Sequence, residues 1–431
     1  MTLPLNTSVT RDTTVIVQRR LVLYLSGFDP QGPARYHRLY REQAQEQCKT
    51  SGHRIAVGTR QRIDPTREAW DIQADIEGQT CHTRYEFLRW DDIVRAHWHN
   101  GHSRYLALTA LTAWRTCLDG SLWRLYRRSW VGALVCAGPM LVLLLNTLMT
   151  LLLLGLMLGT WAQTGPGVWS GLAATATAAG LWGVCRLSLH SETAWHMGWT
   201  IRSHWFTTRQ GRLEIPELEA RLDQHATRLL DALNEPEWDE ILLVGHSSGA
   251  IMATAVAGRA AQRSPSAVAQ PRLGLLTLGQ CLPILSYQPT AQRFRADIRA
   301  AATAWGERWL DFTAPADRCC MALNDPAEAV QGMDGLDCPS PKVLSPRFAN
   351  LFTPSTYAQR RRREQLFDMH FQYIRASELP GTYDYFAITA GPQTLAARFA
   401  DQPNAKGWRG FERFGGPFPG LTQTSAVKSA D

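Results

Sequence analysis

The feature that most constrains this chain is the stretch from Ser129 to Cys185, which contains no Asp, Glu, Lys or Arg. About 20 apolar residues are enough for one helix to cross the hydrocarbon core of a bilayer, so this stretch can supply two crossings. A break at residues 163–167, with the sequence Gln-Thr-Gly-Pro-Gly, divides it. The pattern predicts a transmembrane helical hairpin, with one helix over about residues 131–160 and its partner over about 168–187.

The alternative for this stretch is a buried hairpin in the core of a soluble protein. The run from Leu141 to Leu158 is apolar on every side of a helix, which favours lipid over a protein core. At 1.5 Å per residue the first helix is about 45 Å long, so it must tilt, kink near Pro139 or project beyond a hydrocarbon core of about 30 Å. We therefore expect the bilayer to be a partner of this chain.

Arginines on both flanks of the apolar stretch predict how it is oriented. Arg124, Arg127 and Arg128 precede it, Arg186 and Arg202 follow it, and the turn between the two helices carries no charge. Cytoplasmic loops are enriched in Lys and Arg. Both termini should then be cytosolic, and a bacterial protein of this kind would sit in the cytoplasmic membrane.

Composition narrows the remaining classes of function. The formal net charge of +7 would suit anionic lipid or nucleic acid, but no zinc-finger spacing, RNP-like segment or long basic block supports nucleic acid. The nine cysteines form no Cys-x-x-Cys pair, which predicts free thiols in a reducing compartment. His97, His99 and His102 lack a carboxylate or Cys at a recognisable ligand spacing, so we expect no metal.

Outside the hairpin, short continuous apolar runs alternate with helical patterns, which is typical of an α/β fold with a mostly parallel sheet flanked by helices. The predicted helices cover about 103–126, Ile215 to Leu233 and Ala250 to Gln262. The predicted strands are Leu21 to Leu25, Trp70 to Ile76, Thr83 to Trp90, Ile241 to Val244, Leu273 to Leu278, Trp309 to Phe312, Val343 to Leu344 and Tyr385 to Thr389.

The sequence Gly245-His246-Ser247-Ser248-Gly249 matches the pattern G-x-S-x-G between a predicted buried strand and a predicted helix. A sharp turn from strand to helix exposes the serine hydroxyl above the sheet, and Gly245 and Gly249 permit that turn and its close packing. The start of the following helix also favours developing negative charge.

On these residues the chain resembles the α/β-hydrolase superfamily, in particular its lipases and esterases. The resemblance implies that Ser247 is the nucleophile and that an acid and then a histidine follow it in the chain. His370 is the only histidine after His246. Asp317, just beyond the predicted strand at 309–312, is the preferred acid, with Asp311 and Asp325 as alternatives.

Two backbone N–H groups should stabilise the oxyanion. Ser248 should supply one, and Phe28, in the turn after the first predicted strand, should supply the other. The hydrolase domain would then be assembled from two parts, residues 1–128 and 188–406, with the hairpin at 129–187 inserted between them. Residues 407–431 are rich in Gly and Pro at their start, and we expect a flexible C-terminal tail.

These expectations together describe a membrane-anchored serine hydrolase without a cofactor. It would cleave an ester or thioester through an acyl-enzyme intermediate, and acyl lipids are among the candidate substrates. The alternative is a non-catalytic, hydrolase-like membrane scaffold or signalling protein.

Overall fold

A sheet of nine strands forms the centre of the fold, counted over residues 16–362 and 367–405, which the computed structural model describes. The strand order is β2-β4-β5-β1-β6-β7-β8-β9, and β3 pairs with β4. The strands are β1 Arg19–Leu25, β2 Arg54–Val57, β3 Gln61–Asp64, β4 Arg67–Ile76, β5 Gln79–Leu88, β6 Glu240–His246, β7 Leu273–Leu278, β8 Trp309–Phe312 and β9 Lys342–Leu344.

The neighbouring strands in the row β5-β1-β6-β7-β8-β9 are parallel to one another. The pairs β2–β4, β3–β4 and β4–β5 are antiparallel. Its central strands are continuous apolar runs because both faces are covered: every residue of β6 is buried. In β1, Leu21 and Leu23 face one core layer, and Val22 and Tyr24 face the other. The predicted α/β class with a mostly parallel sheet between helices is confirmed.

Helices cover both faces of the sheet and carry the apolar hairpin. They are α1 Pro33–Ser51, α2 Asp91–Ala96, α3 His102–Leu118, α4 Ser121–Arg128, α5 Trp130–Thr164, α6 Val168–Thr193, α7 Met197–Gln210, α8 Pro216–Leu233, α9 Ser248–Arg263, α10 Pro265–Val268, α11 Leu282–Ser286, α12 Gln292–Trp305, α13 Glu328–Asp334, α14 Pro354–Arg362, α15 Tyr385–Ala390 and α16 Leu395–Arg398.

The parts of the chain before and after the hairpin share this one sheet. The first strand, β1, lies between β5 and β6 and pairs with both in parallel. A buried ion pair joins the two parts, since Arg20 Nε donates to Glu240 Oε2 at 2.6 Å. Arg20 also donates to the carbonyl oxygens of Gly391 and Gln393, so the last described segment is held to the same strand.

Two helices, α5 and α6, are long and apolar enough to cross a membrane. The most apolar 18-residue windows have mean hydropathies of 2.5 and 1.2, and only 6% and 11% of those windows is buried in the protein. A core helix of a soluble protein would be mostly buried, so the low burial argues against that alternative. The predicted pair of apolar helices is confirmed.

The first turns of α5 pack against the sheet-containing body. Gly132, Ala133 and Cys136 are buried there, and Ser129 Oγ accepts a hydrogen bond from the Gly132 amide at 3.3 Å. The helix has 35 residues and is therefore about 52 Å long. The start of this helix therefore belongs to the contact with the body, and the rest of the helix is mostly exposed.

The end of α6 also lies on the body, which explains why this helix continues beyond the predicted residue 187 to Thr193. His102 of α3 contacts both Ser188 and Glu192, at 3.1 and 2.8 Å. Arg202 of α7 donates to Glu192 at 2.7 Å. Both ends of the hairpin therefore meet the same body.

Two predicted elements were wrong in type or extent. Residues 385–389 form the helix α15 instead of a strand, because Asp384 caps it by accepting hydrogen bonds from the amides of Phe386 and Ala387. The helix predicted over 103–126 is divided at Asp119 and Gly120, where Gly120 adopts a φ of 70°. The predicted tail at 407–431 lies outside the described residues.

Candidate active site

Ser247 lies at the turn between β6 and α9, with φ 60° and ψ −128°. This region of backbone space is strained for a residue with a side chain and is held only when the surroundings fix it. The Ser247 amide donates to the Leu278 carbonyl at 2.8 Å, and the Ala250 amide donates to the Ser247 carbonyl at 2.9 Å. The turn is thus anchored to β7 on one side and to α9 on the other.

The two glycines of the motif allow the strand and the helix to approach each other. A Cβ on Gly249 would collide with the carbonyl oxygens of Leu25 and Ser26. A Cβ on Gly245 would collide with the backbone of Gly249 and Ala250. Both positions therefore require glycine because of close backbone contacts, as the motif predicted.

Asp317 and His370 form a buried acid–histidine pair. His370 Nδ1 lies 2.7 Å from Asp317 Oδ2, and the two residues are 3% and 2% exposed. The other carboxylate oxygen, Oδ1, accepts a hydrogen bond from the Cys319 amide at 2.8 Å. A carboxylate in this position holds Nδ1 protonated and leaves Nε2 as the basic nitrogen.

The two alternative acids have other partners. Asp311 Oδ1 accepts a hydrogen bond from Thr277 Oγ1 at 2.6 Å, and burial raises the pKa of its carboxyl group to about 8. Asp325 accepts from the Ala327 amide at 2.9 Å and from Ser340 Oγ at 2.6 Å. Of these three carboxylates, Asp317 is the one with a hydrogen bond to His370.

His246, the residue before the serine, contacts the backbone of His370. Its Nε2 lies 2.8 Å from the His370 carbonyl oxygen, and the two rings are 5.0 Å apart. Burial lowers the pKa of His246 to about 3, so the ring is neutral and Nε2–H donates to that carbonyl. His246 therefore holds the backbone of His370 beside the serine turn, a long-range contact that no local pattern could reveal.

The turn after β1 lies directly against the serine. A Cβ built on Gly27 would be 3.0 Å from Ser247 Cβ and 3.2 Å from Ser247 Oγ. Phe28, whose amide is the predicted second oxyanion donor, lines the same cavity as Ser247. Ser248, the predicted first donor, is the opening residue of α9, where amide groups have no acceptor within the helix.

Ser247, Ser248, Phe28 and His370 meet at one cavity of about 70 Å³. The start of α5 supplies part of its wall, through Gly132, Val135 and Cys136, and a face of α7 supplies another part. The rest is formed by Cys281, Ile284, Cys319, Met321 and Phe367. The residues of α5 and α7 were not predicted for this site, because their role depends on how the hairpin packs on the sheet-containing body.

Within the described residues, one group of side chains has the spacing of a metal site: Asp317, Cys319 and His370, whose ligand atoms lie within 4.8 Å of one another. Two ligands of a tetrahedral zinc ion would be roughly 3.3 Å apart at bond lengths of about 2.0 Å. The 2.7 Å contact between Asp317 and His370 is instead the distance of a hydrogen bond. The arrangement therefore fits an acid–histidine pair better than a set of metal ligands.

The chain matches no family model, no curated protein and no solved structure.

Proposed function

We propose that this chain is a membrane-anchored serine hydrolase of the α/β-hydrolase type, which cleaves an ester or thioester. One observation carries the proposal: a serine on a strained turn shares a cavity with a histidine that a buried carboxylate orients. Ser247 is the nucleophile, His370 the base and Asp317 the acid. Side chains in these three roles are what acyl transfer through a serine needs.

The order of the strands supports the α/β-hydrolase assignment. The strand that leads to the serine, β6, is central, and the strand that leads to the oxyanion turn, β1, is its direct neighbour. The acid follows β8 and the histidine follows β9, so the chain order is serine, acid, histidine. The carboxyl ends of these parallel strands lie at one edge of the sheet, where such sites form.

The reaction proceeds in two halves. The Ser247 hydroxyl transfers its proton to His370 Nε2 while Oγ bonds to the carbonyl carbon, and the amides of Ser248 and Phe28 stabilise the oxyanion. The bond to the leaving oxygen or sulfur breaks, and His370 returns the proton to it. Water then repeats these steps on the acyl-enzyme, releasing the carboxylic acid and restoring Ser247.

The alternative, a non-catalytic scaffold, explains less of the site. A scaffold has no need for a non-glycine residue at a φ of 60° beside a buried histidine and carboxylate. Backbone strain of this kind costs of order 1–3 kcal/mol and is typical of functional sites.

A fluorophosphonate probe tests the proposal directly. We expect the folded protein to form one covalent adduct, which peptide mapping by mass spectrometry assigns to Ser247, because the oriented His370 activates that hydroxyl. Protein unfolded before exposure to the probe is the control and should not be labelled. An absence of adduct on folded protein, or an adduct on a different serine, would contradict the proposal.

The apolar hairpin is proposed to anchor this hydrolase in the membrane. Both ends of the hairpin contact the sheet-containing body, through α5 residues near Gly132 and through Ser188 and Glu192 of α6. Exposed aromatic residues lie on the two helices that precede α5: Trp114 on α3, and Trp123 and Tyr126 on α4. Aromatic side chains of this kind are enriched at membrane–water interfaces.

We expect reporters fused to the N-terminus and to the C-terminus both to report the cytosol. The reason is that arginines flank both ends of the hairpin while its turn, at residues 165–167, carries no charge. A reporter inserted at that turn is the matched control and should report the opposite side. An external signal from either terminus would refute the hairpin topology.

A further inference from the structure

The cavity at Ser247 has two chemically different walls. The wall formed by Val135 of α5, with Ile284 and Met321, is apolar. The wall formed by α7 contains Trp199 and a row of four polar residues at the spacing of a single helix face, namely Thr200, Ser203, His204 and Thr207. A ligand that fills this cavity must therefore be amphipathic.

The hydroxyl groups of two threonines in the α7 wall already donate their hydrogens within the helix. Thr207 Oγ1 donates its hydrogen to the Ser203 carbonyl at 2.9 Å, and Thr200 Oγ1 donates to the His196 carbonyl at 3.3 Å. A hydroxyl group has one hydrogen and two lone pairs, so lone pairs are what these two threonines have left to offer. Such a wall favours ligand groups that donate hydrogen bonds.

His204 is the second, independent sign of a ligand. It lines the cavity, is 5% exposed, and its Nδ1 has no hydrogen-bond partner within the described part of the chain. Leaving a buried polar group unpaired costs roughly 1–3 kcal/mol. Burial also lowers the pKa of His204 to about 4, so the ring is neutral near pH 7.

The cavity wall is also uncharged. Among the described residues that line it there is no Asp, Glu, Lys or Arg. A phosphate or carboxylate in the cavity would lose its hydration without gaining a counter-charge, which is costly. An uncharged group that carries hydroxyls would instead match the acceptors of α7.

We infer that the α7 face, with His204 at its centre, is a subsite for the alcohol part of the substrate, and that the substrate is an uncharged acyl ester of an alcohol bearing further hydroxyl groups. The inference rests on the proposed hydrolase function. The acyl group lies along the apolar wall, and the hydroxyls of the leaving alcohol donate to Thr200, Thr207 and His204. His204 acts in recognition and takes no part in the proton transfers of His370.

Two esters that differ only in hydroxyl groups test this subsite. Glycerol monobutyrate and propyl butyrate share the acyl chain and the carbon skeleton of the alcohol, and a short acyl group suits a cavity of about 70 Å³. We expect the wild type to prefer the glycerol ester in kcat/KM. His204→Phe should lower that preference about tenfold, the effect of losing one to two hydrogen bonds.

Two further variants keep this test decisive. Thr207→Val removes an acceptor at nearly constant shape and should also lower the preference, so the test survives if His204→Phe does not fold. His225→Phe is the matched control, because His225 is likewise buried with an unpaired Nδ1 but lies on α8, outside the cavity wall. It should leave the preference unchanged.

The outcomes separate the subsite from the proposed function. If Ser247 reacts with fluorophosphonate but neither His204→Phe nor Thr207→Val changes the preference, the subsite is wrong and the hydrolase stands. If the wild type hydrolyses neither ester and does not react with the probe, the proposed function itself has failed. Folding of each variant is judged by its thermal unfolding.

Discussion

Asp317→Asn is expected to lower kcat for ester hydrolysis by about 10⁴, the scale on which a wrong histidine tautomer slows a serine hydrolase. The reason lies in the two hydrogen bonds of this carboxylate. The Cys319 amide donates to Oδ1 at 2.8 Å, so an asparagine would place its oxygen there and its NH₂ group towards His370 Nδ1. His370 would then carry its proton on Nε2 and could not accept one from Ser247. Steady-state kinetics with a chromogenic ester measure the loss.

Asp311→Asn and Asp325→Asn are the matched controls for this prediction. Burial raises the pKa of Asp311 to about 8, so that carboxyl group is mostly protonated at pH 7, and asparagine resembles it in charge and shape. Asp325 bonds to Ala327 and Ser340. Both variants should keep turnover within a fewfold of the wild type. The reverse pattern, with Asp311→Asn inactive and Asp317→Asn active, would move the acid to Asp311.

The parts of the fold that the sequence predicted are those coded by local patterns. The strand Ile241 to Val244 and the two apolar helices are continuous apolar runs that can be recognised from the sequence alone. A strand buried on both faces requires such a run, and a helix able to cross a membrane would require a longer one. Residues 385–389 also form an apolar run, yet the side chain of Asp384 caps them into a helix. Helix α1 is absent from the predicted elements, although Pro33 at its first turn and Gly52 at its end mark its limits.

The same distinction between local patterns and long-range contacts applies to the residues of the candidate site. Ser247, Asp317 and His370 could be proposed because a motif and the chain order restrict the choices. The contact of His246 with the His370 carbonyl spans 124 positions in the chain, and no local pattern encodes it. The role of His204 depends on where α7 packs beside the base of the hairpin. These contacts are set by tertiary packing, so they become visible only in three dimensions.

Gly27→Val is expected to lower kcat/KM by about 10² or more, even though the whole apolar hairpin lies between Gly27 and Ser247 in the chain. A Cβ at this position would lie 3.0 Å from Ser247 Cβ and 3.2 Å from Oγ, and the γ-carbons of valine would add bulk beside this proposed nucleophile. The turn that carries the Phe28 amide and the serine would have to move apart. Displacements approaching 1 Å in a catalytic arrangement can cost a factor of 10².

Gly274→Val is the control that separates this effect from simple overpacking. Gly274 lies in β7, where a Cβ would be 3.2 Å from Leu242 Cδ1, a similarly tight contact but with a core side chain. Overpacking typically costs 1–3 kcal/mol of stability, so both variants should unfold at a lower temperature than the wild type. Only Gly27→Val should also lose turnover and slow the reaction of Ser247 with a fluorophosphonate. If Gly27→Val kept the turnover of the wild type, as Gly274→Val should, the turn after β1 would take no part in the site. The oxyanion role of Phe28 would then have to be abandoned.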